Sequence, residues 1–234
     1  MEQSTLQWLG HNAWLFEHKG FRILVDPFLT GNPKAAVAAD AVKADFILVS
    51  HGHEDHLGDT LKLAKRTGAA VITVAEIAAW LSKQGIKKVI GMNVGGGVNT
   101  LFGRVEMTPA FHSSTLPDGS SGGVPCGFLI KVASGGTIYF ACDTGVFGDM
   151  KLLAEKQIKI AVLPIGDVYT MGPEESLKAI QLLQPKVVIP CHYDTWKLIA
   201  QDTKEWEIRV RKETQAVPCV LTPGEKIQCF ESEE

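Results

Sequence analysis

Short apolar runs and amphipathic stretches alternate along most of this 234-residue chain. Runs rich in β-branched and aromatic residues predict strands at 6–9, 13–16, 21–25, 46–49, 71–74, 128–132, 137–141, 160–163, 187–189 and 217–221. Segments with helical spacing predict helices at 57–66, 76–83, 150–156, 174–183 and 203–213. A meander of strands followed by alternating strands and helices is typical of an α/β fold.

Two segments predict flexible surface connections. The first is the glycine-rich stretch 91–97, and the second is the loop 113–123, which consists mostly of Ser, Gly, Pro and Asp. The second loop directly follows a histidine, so it either closes over a site or is a plain surface connection. Neither segment divides the chain into unrelated parts, and we therefore predict a single domain over residues 1–234.

The charge balance excludes some classes of function. The 23 basic and 26 acidic residues give a formal net charge of −3, which argues against a strongly basic nucleic-acid face. No apolar run approaches the roughly 18 residues of a membrane span, and the first ten residues lack the pattern of a signal peptide. These features predict a soluble cytoplasmic protein.

The cysteines form no recognisable disulfide or metal-binding pattern. There are five, widely spaced and without a CxxC pair: Cys126, Cys142, Cys191, Cys219 and Cys229. An odd and dispersed set predicts small buried packing residues in a reducing compartment.

The densest chemical signal follows the predicted strand at 46–49. Four potential metal ligands stand there within six residues: His51, His53, Asp55 and His56. His51 and His53 are two residues apart on an extended segment and can present their imidazoles to the same side. Asp55 and His56 stand at a helix start and can turn toward a second point nearby. Imidazole and carboxylate together suit Zn²⁺, Mn²⁺ or Fe²⁺.

Further ionisable side chains stand just past other apolar runs. His112 follows an apolar segment at 105–111 that predicts another strand, and Asp143 and His192 follow the runs that end at 142 and 191. Open α/β sheets place their ligand groups beyond the carboxyl ends of strands. We therefore expect these three side chains to complete the site that begins at His51.

The seven residues resemble the HxHxDH signature and the later, isolated ligands of the metallo-β-lactamase superfamily. The likeness runs over nearly the full chain, and its flanking phrases are similar to a branch of small metal-dependent hydrolases that lies near the ascorbate-6-phosphate lactonases. Those phrases are Trp8-Leu-Gly-His11, Tyr139-Phe-Ala-Cys-Asp-Thr-Gly145, Leu163-Pro-Ile-Gly-Asp167 and Ile189-Pro-Cys-His-Tyr193. The resemblance implies a four-layer αβ/βα sandwich, in which two mixed β-sheets pack face to face and are flanked by helices.

The resemblance also implies a dinuclear centre of two divalent metal ions. One ion takes His51, His53 and His112, the other takes Asp55, His56 and His192, and Asp143 bridges the pair. Zn²⁺ is the expected metal, with Mn²⁺ or Fe²⁺ as alternatives. A metal-bridged hydroxide is then the nucleophile.

The resemblance also points to roles for three aspartates and one histidine around that nucleophile. Asp55 and Asp143 are the implied catalytic residues, and Asp55 either orients the nucleophile or accepts its proton. Asp26 matches a position that braces the ligand loop without touching metal. His11 lies in a turn between two predicted strands. It is a candidate substrate contact, proton donor or extra ligand, and a purely structural turn histidine is the alternative.

The leading hypothesis for function is a hydrolase of a small ester, lactone or phosphoester. The first alternative is a metal-dependent nuclease, and the second is a non-catalytic, metal-bearing binding subunit. A small-molecule substrate is expected, whereas nucleic acid and membranes are not, and the resemblance implies a homo-oligomer. A phosphorylated substrate requires a basic side chain in the pocket, for which Arg22, Arg104 and Lys197 are candidates.

Overall fold

The computed structural model describes residues 4–133 and 136–230 and contains two seven-stranded sheets. The first sheet comprises β1 (Ser4–Gly10), β2 (Ala13–His18), β3 (Phe21–Val25), β4 (Phe46–Val49), β5 (Ala70–Val74), β6 (Val89–Met92) and β14 (Lys226–Phe230). The second comprises β7 (Gly97–Asn99), β8 (Arg104–Pro109), β9 (Cys126–Lys131), β10 (Thr137–Phe140), β11 (Ile160–Pro164), β12 (Val187–Cys191) and β13 (Val217–Pro218). Their strand orders are β14-β1-β2-β3-β4-β5-β6 and β13-β12-β11-β10-β9-β8-β7.

Each sheet changes from antiparallel to parallel pairing part-way across. In the first sheet β14, β1, β2 and β3 pair antiparallel, and β3 to β6 pair parallel. In the second sheet β7 to β10 pair antiparallel, and β10 to β13 pair parallel. Strands β4, β11 and β12 are almost wholly buried, which agrees with their nearly continuous apolar sequences.

Helices cover the outer faces of both sheets. They are α1 (Glu54–Leu57), α2 (Thr60–Thr67), α3 (Ala75–Lys83), α4 (Met150–Leu153), α5 (Pro173–Leu183) and α6 (Thr203–Glu213), with 3-10 turns at Ala39–Ala41, Ala154–Lys156 and Lys197–Ile199. α2 packs on β4 and α3 on β5 and β6, while α6 contacts β13 and α5. Between the sheets, the rings of Trp14 and Phe140 lie 6.4 Å apart. The predicted α/β class and four-layer αβ/βα sandwich are confirmed.

The predicted helix at 57–66 is wrong in its boundaries. The chain forms two helices there, α1 and α2, which are separated by Gly58 and Asp59. Gly58 has a φ of 42°, and a Cβ added to it would stand 2.5 Å from the carbonyl oxygen of Pro27. The break therefore lets α1 pack directly on the chain that follows β3, which helical periodicity does not reveal.

Three predictions at the sheet margins also need correction. The stretch 91–97 is not a free connection, because it contains the end of β6 and the start of β7. The strand predicted at 217–221 pairs only over Val217–Pro218. β14 was not predicted, although it pairs antiparallel with β1. Its mixture of exposed and half-buried positions lacks the apolar run that marks the inner strands.

Two expectations from composition can be compared with the structure. The five cysteines are free, and three of them, Cys126, Cys142 and Cys191, are buried. Across residues 4–133 and 136–230, no helix has both the length and the hydropathy that a bilayer crossing needs.

We predict that Gly58→Ala destabilises the protein far more than Gly68→Ala does. Both glycines have a left-handed φ, but a Cβ at Gly68 meets nothing within 4 Å. Gly68→Ala should therefore lower the free energy of unfolding by about 1 kcal/mol, and Gly58→Ala by about 2–4 kcal/mol, because it adds a steric conflict. Urea unfolding of both variants measures the difference, and equal losses would contradict the packing described for Gly58.

Candidate metal centre

The structure brings all seven predicted metal-binding residues to one edge, where the carboxyl ends of strands from both sheets meet. His51 and His53 follow β4, Asp55 and His56 belong to α1, His112 follows β8, and Asp143 and His192 follow β10 and β12. Candidate ligand atoms within 4.8 Å of one another form three overlapping groups: His51, His53 and His112; His11, Asp55, His56 and His192; and His51, His56 and Asp143.

At this edge the chain turns at residues with a left-handed backbone conformation. Four residues within two positions of a strand end have positive φ values: His11 (57°), Asp26 (43°), Cys142 (53°) and His192 (53°). Such values are uncommon for residues other than glycine, and each costs free energy that the surrounding structure must offset. Their concentration around one site indicates that the side-chain arrangement, rather than the ease of turning, dictates the local backbone.

Three imidazoles converge in the first group. Nδ1 of His53 lies 3.0 Å from Nε2 of His51 and 3.3 Å from Nε2 of His112. Nitrogen atoms that bind one tetrahedral Zn²⁺ at 2.0–2.1 Å lie about 3.3 Å apart. The spacing in the first group is therefore close to what a shared cation requires.

The Asp143 carboxylate lies between the first group (His51, His53 and His112) and the second group (His11, Asp55, His56 and His192). Its Oδ2 atom lies 3.1 Å from His192 Nε2, 3.2 Å from His56 Nε2 and 3.5 Å from His112 Nε2. Oδ2 of Asp55 lies 3.8 Å from the same nitrogens of His56 and His192. One carboxylate oxygen thus faces histidines from both groups, which is the position that a bridging ligand needs.

Several buried polar atoms in the cluster lack a hydrogen bond of normal geometry. Among the described residues these include His56 Nε2, His192 Nε2 and Asp143 Oδ1. An unsatisfied buried polar atom costs about 1–3 kcal/mol, and more when the group is charged. Nitrogen and oxygen donors left open toward one another fit a site for borderline divalent cations such as Zn²⁺, Mn²⁺ or Fe²⁺.

Asp26 lies behind the cluster and is fully buried. Its Oδ2 accepts hydrogen bonds from Ser50 Oγ at 2.6 Å and Asn12 Nδ2 at 2.9 Å, and lies 2.8 Å from His56 Nδ1. Its Oδ1 accepts from the Ser50 backbone N–H at 2.8 Å. Asp26 therefore contacts the His56 ring on the nitrogen opposite the cluster and fixes the backbone just before His51.

His11 lies on the other side of Asp55 and is also fully buried. Its Nε2 is 3.1 Å from Asp55 Oδ2, and its Nδ1 is 2.7 Å from Thr195 Oγ1. Burial, followed by the nearby His192, lowers the pKa of His11 to about 4. A neutral imidazole therefore lies between the Thr195 hydroxyl and the Asp55 carboxylate.

The first group favours neutral imidazoles. Burial lowers the pKa of His51 well below its ordinary value and also lowers the pKa of His53 and of His112. These three side chains are therefore unprotonated near neutral pH, as metal ligands must be.

In the second group, neighbouring carboxylates raise the pKa of His56 and His192. Burial opposes protonation of His192 and His56, but the neighbouring carboxylates, Asp143 foremost, together outweigh it. The pKa of His192 therefore rises to about 9, and that of His56 lies well above its ordinary value. Burial likewise opposes ionisation of Asp143, and His192 and His56 reverse this and hold its pKa well below the usual range. The cluster thus attracts positive charge, which protons or cations can supply.

Comparison with known proteins identifies the family. The model of the β-lactamase superfamily domain matches residues 5–192. A UPF0173 metal-dependent hydrolase of Carboxydothermus hydrogenoformans is 48% identical over 227 residues, which cover 95% of this chain and 98% of the relative. The chain belongs to the UPF0173 metal-dependent hydrolase family of the β-lactamase superfamily.

Other members of the family and a solved structure agree with this assignment. The UPF0173 metal-dependent hydrolase of Thermus thermophilus is 45% identical, with 95% of this chain and 98% of the relative covered. The structure of Igni18, a metallo hydrolase from Ignicoccus hospitalis, is 36% identical and superposes with a TM-score of 0.90 over 99% of this chain and 100% of its own. The predicted superfamily and its metal-dependent hydrolase class are confirmed.

A cavity of about 510 Å³ opens over the cluster. Besides five of the predicted site residues, its lining includes Phe28, Glu54, Ser113, Tyr169 and Trp196. Sequence analysis missed Phe28, Glu54, Tyr169 and Trp196. All four lie within three residues of a feature that was recognised. Phe28 follows Asp26, Glu54 stands between His53 and Asp55, and Tyr169 and Trp196 follow the phrases ending at Asp167 and Tyr193, but nothing in their residue types pointed to a pocket.

The basic side chains considered for a phosphorylated substrate do not line this cavity. Arg22 forms an ion pair with Asp45 at 3.0 Å, beside the start of β4 and away from its carboxyl end. Arg104 pairs with Glu106 at 2.8 Å and lines a different cavity. Lys197 is exposed in the 3-10 turn after Trp196.

We predict that Asp26→Ala lowers the free energy of unfolding of the metal-free protein by about 3 kcal/mol or more, because it leaves His56, Ser50 and Asn12 without their buried partner. Asp45→Ala is the matched control. It removes a partly exposed carboxylate paired with Arg22 and should change stability by only about 0–1 kcal/mol. Chemical denaturation measures both, and a loss for Asp26→Ala no larger than the control would contradict the role given to the buried carboxylate.

Proposed function

We propose that this protein binds two divalent metal ions at the cluster and uses them to hydrolyse a small ester, lactone or phosphoester. The observation that carries the proposal is the position of Asp143 Oδ2, which lies 3.1–3.5 Å from imidazoles of both groups. A single metal site would not need a buried carboxylate between two sets of donors.

The donor atoms assign a role to each residue. In this proposal the first ion is held by His51, His53 and His112, the second by Asp55, His56 and His192, and Asp143 contacts both. The mixture of imidazole and carboxylate suits Zn²⁺ first, with Mn²⁺ and Fe²⁺ as alternatives. When bound, such ions supply Lewis acidity and an activated water.

Asp55 is the residue best placed to act on the attacking water. Its side chain lines the cavity and is 26% exposed, whereas that of Asp143 is only 3% exposed. Burial raises the pKa of Asp55, but His56 and the contacts with His11 and His192 outweigh it and hold the pKa far below the ordinary value. A carboxylate of this kind stays ionised and retains a proton poorly, which favours orienting the water over storing its proton.

The proposed hydrolysis needs no nucleophilic side chain, because water supplies the attacking oxygen. The water oxygen forms a bond to the acyl carbon or phosphorus, the bond to the leaving oxygen breaks, and the water supplies one proton to solvent and one to the leaving group. The buried Cys142 and Cys191 beside the ligands take no part, because burial raises the pKa of both thiols.

We predict that chelation abolishes hydrolysis of a panel containing one ester, one lactone and one phosphoester, and that Zn²⁺ or Mn²⁺ restores it. Asp143→Asn should lower kcat/KM by at least about 100-fold, since loss of even a residue that only supports a ligand costs 10–100-fold. Asp149→Asn is the matched control at an exposed position and should retain activity. Turnover that survives chelation, or equal activity of the two variants, would refute the proposed function.

We also propose that His11 positions Asp55, and this generates a separate prediction. His11→Ala should weaken binding of the second metal equivalent by about 10–100-fold and leave the first unchanged, because Asp55 is the one proposed metal ligand that hydrogen-bonds the His11 side chain. Thr195→Val, which removes the contact to His11 Nδ1, should have a smaller effect in the same direction. Titration calorimetry with Zn²⁺ separates the two equivalents. Equal weakening of both would indicate a general structural role instead.

A further inference from the structure

Three aromatic side chains line the cavity over the cluster, and together they are called the aromatic wall. It consists of Phe28, Tyr169 and Trp196. Tyr169 is 56% exposed and Trp196 is 41% exposed, while Phe28 is half-buried. Large aromatic surfaces left open to solvent beside a cavity are typical of ligand-binding sites.

The aromatic wall begins directly beside the cluster. The Phe28 and Trp196 rings lie 6.2 Å apart, and both contact His11 edge-on, with centroid distances of 5.8 Å and 5.0 Å. His11 in turn lies 3.1 Å from the carboxylate of Asp55. A group that packs on this wall is therefore next to the bond that would react at the cluster.

Tyr169 is presented to the cavity by an unusual backbone. The two residues before it, Asp167 and Val168, have φ values of 62° and 56°. A β-branched residue rarely adopts such a value, and strain of this kind persists mainly where function requires it. The Asp167 side chain supports the turn by accepting a hydrogen bond from the Val168 N–H at 2.7 Å. The backbone conformation of the loop and the Asp167 hydrogen bond therefore fix the position of Tyr169.

Apart from the histidines, the ionisable side chains that line the cavity near the cluster are mostly acidic. Its lining includes the carboxylates of Glu54, Asp55 and Asp143, and neither lysine nor arginine is among its described residues. Asp55 and Asp143 belong to the cluster, where the charge of two bound divalent cations would more than offset their own, so Glu54 is the lining carboxylate that would stay uncompensated. Glu54 lies on the exposed side of α1, where its negative charge faces an incoming substrate. An anionic group of the substrate that lies near Glu54 would be repelled there.

We propose that the substrate is an uncharged ester or lactone whose aromatic or branched aliphatic group packs against Phe28, Tyr169 and Trp196, and that substrates with an anionic group are disfavoured. This inference rests on the proposed hydrolase function and narrows its substrate class. It separates this site from one that recognises a phosphorylated sugar, for which a basic side chain is needed to bind the phosphate.

The first test compares two esters that differ in one charge. 4-Acetoxybenzamide and 4-acetoxybenzoate have the same reacting bond and nearly the same size, but the second carries a carboxylate. With the Zn²⁺-loaded protein, kcat/KM for the amide should exceed that for the carboxylate by about tenfold or more. Glu54→Gln removes the charge without changing the size of the side chain, and the ratio should then fall several-fold. An equal rate for both esters, or a preference for the carboxylate, would overturn the inference.

The second test addresses the aromatic wall. Trp196→Ala should raise KM for 4-acetoxybenzamide by about 3- to 10-fold, since an aromatic contact is worth about that much. The metal content of the variant should stay unchanged. Leu198→Ala is the control, because Leu198 is 60% exposed two residues away and does not line the cavity. An unchanged KM in Trp196→Ala would contradict the role of the wall.

A binding measurement distinguishes failure of this inference from failure of the proposed function. Calorimetric titration of 4-acetoxybenzamide into the Zn²⁺-loaded protein and into Trp196→Ala needs no turnover. Binding that depends on Trp196 without any hydrolysis would support the apolar pocket and refute the hydrolase. Hydrolysis of the ester panel without a preference for the uncharged member would support the hydrolase and refute the pocket assignment.

Discussion

The Asp143 carboxylate is the point on which the arrangement of this site depends. It lies at the end of β10 in the second sheet, yet its Oδ2 atom is within 3.2 Å of His56, which follows the first sheet. The same oxygen is within 3.5 Å of His112 and His192. Because a buried carboxylate is stable only when it is paired, this contact ties the carboxyl edges of the two sheets to each other.

Other features of the edge follow from that requirement. The chain must turn immediately after several strands, and it does so at non-glycine residues with positive φ, such as Asp26 and His192. A second buried carboxylate, Asp26, holds His56 from behind, and His11 holds Asp55 from the side. The cavity side, where His53, Asp55 and His112 lie, is open to a substrate. Support from behind and from the side, with access from the cavity, is what a hydrolytic centre needs.

The sequence predicted the inner strands and the cluster better than the margins. Strands such as β4 and β12 are buried on both faces, so their apolar runs are unmistakable, and the histidines and aspartates that follow them have no packing role that would explain them. β14 and the break at Gly58 were missed, because the first depends on pairing with β1, about 220 residues away in sequence, and the second on contact with Pro27. The aromatic wall was missed for the same reason. Phe28, Tyr169 and Trp196 come from three separate loops, and only the fold brings them together.

Anomalous diffraction from crystals of the Zn²⁺-loaded protein, recorded on both sides of the zinc absorption edge, tests the central claim most directly. We expect two zinc peaks, one in contact with His51, His53 and His112 and the other with Asp55, His56 and His192, with Asp143 touching both. A single peak, or peaks that lie away from the Asp143 carboxylate, would contradict the account of a centre built around one shared carboxylate.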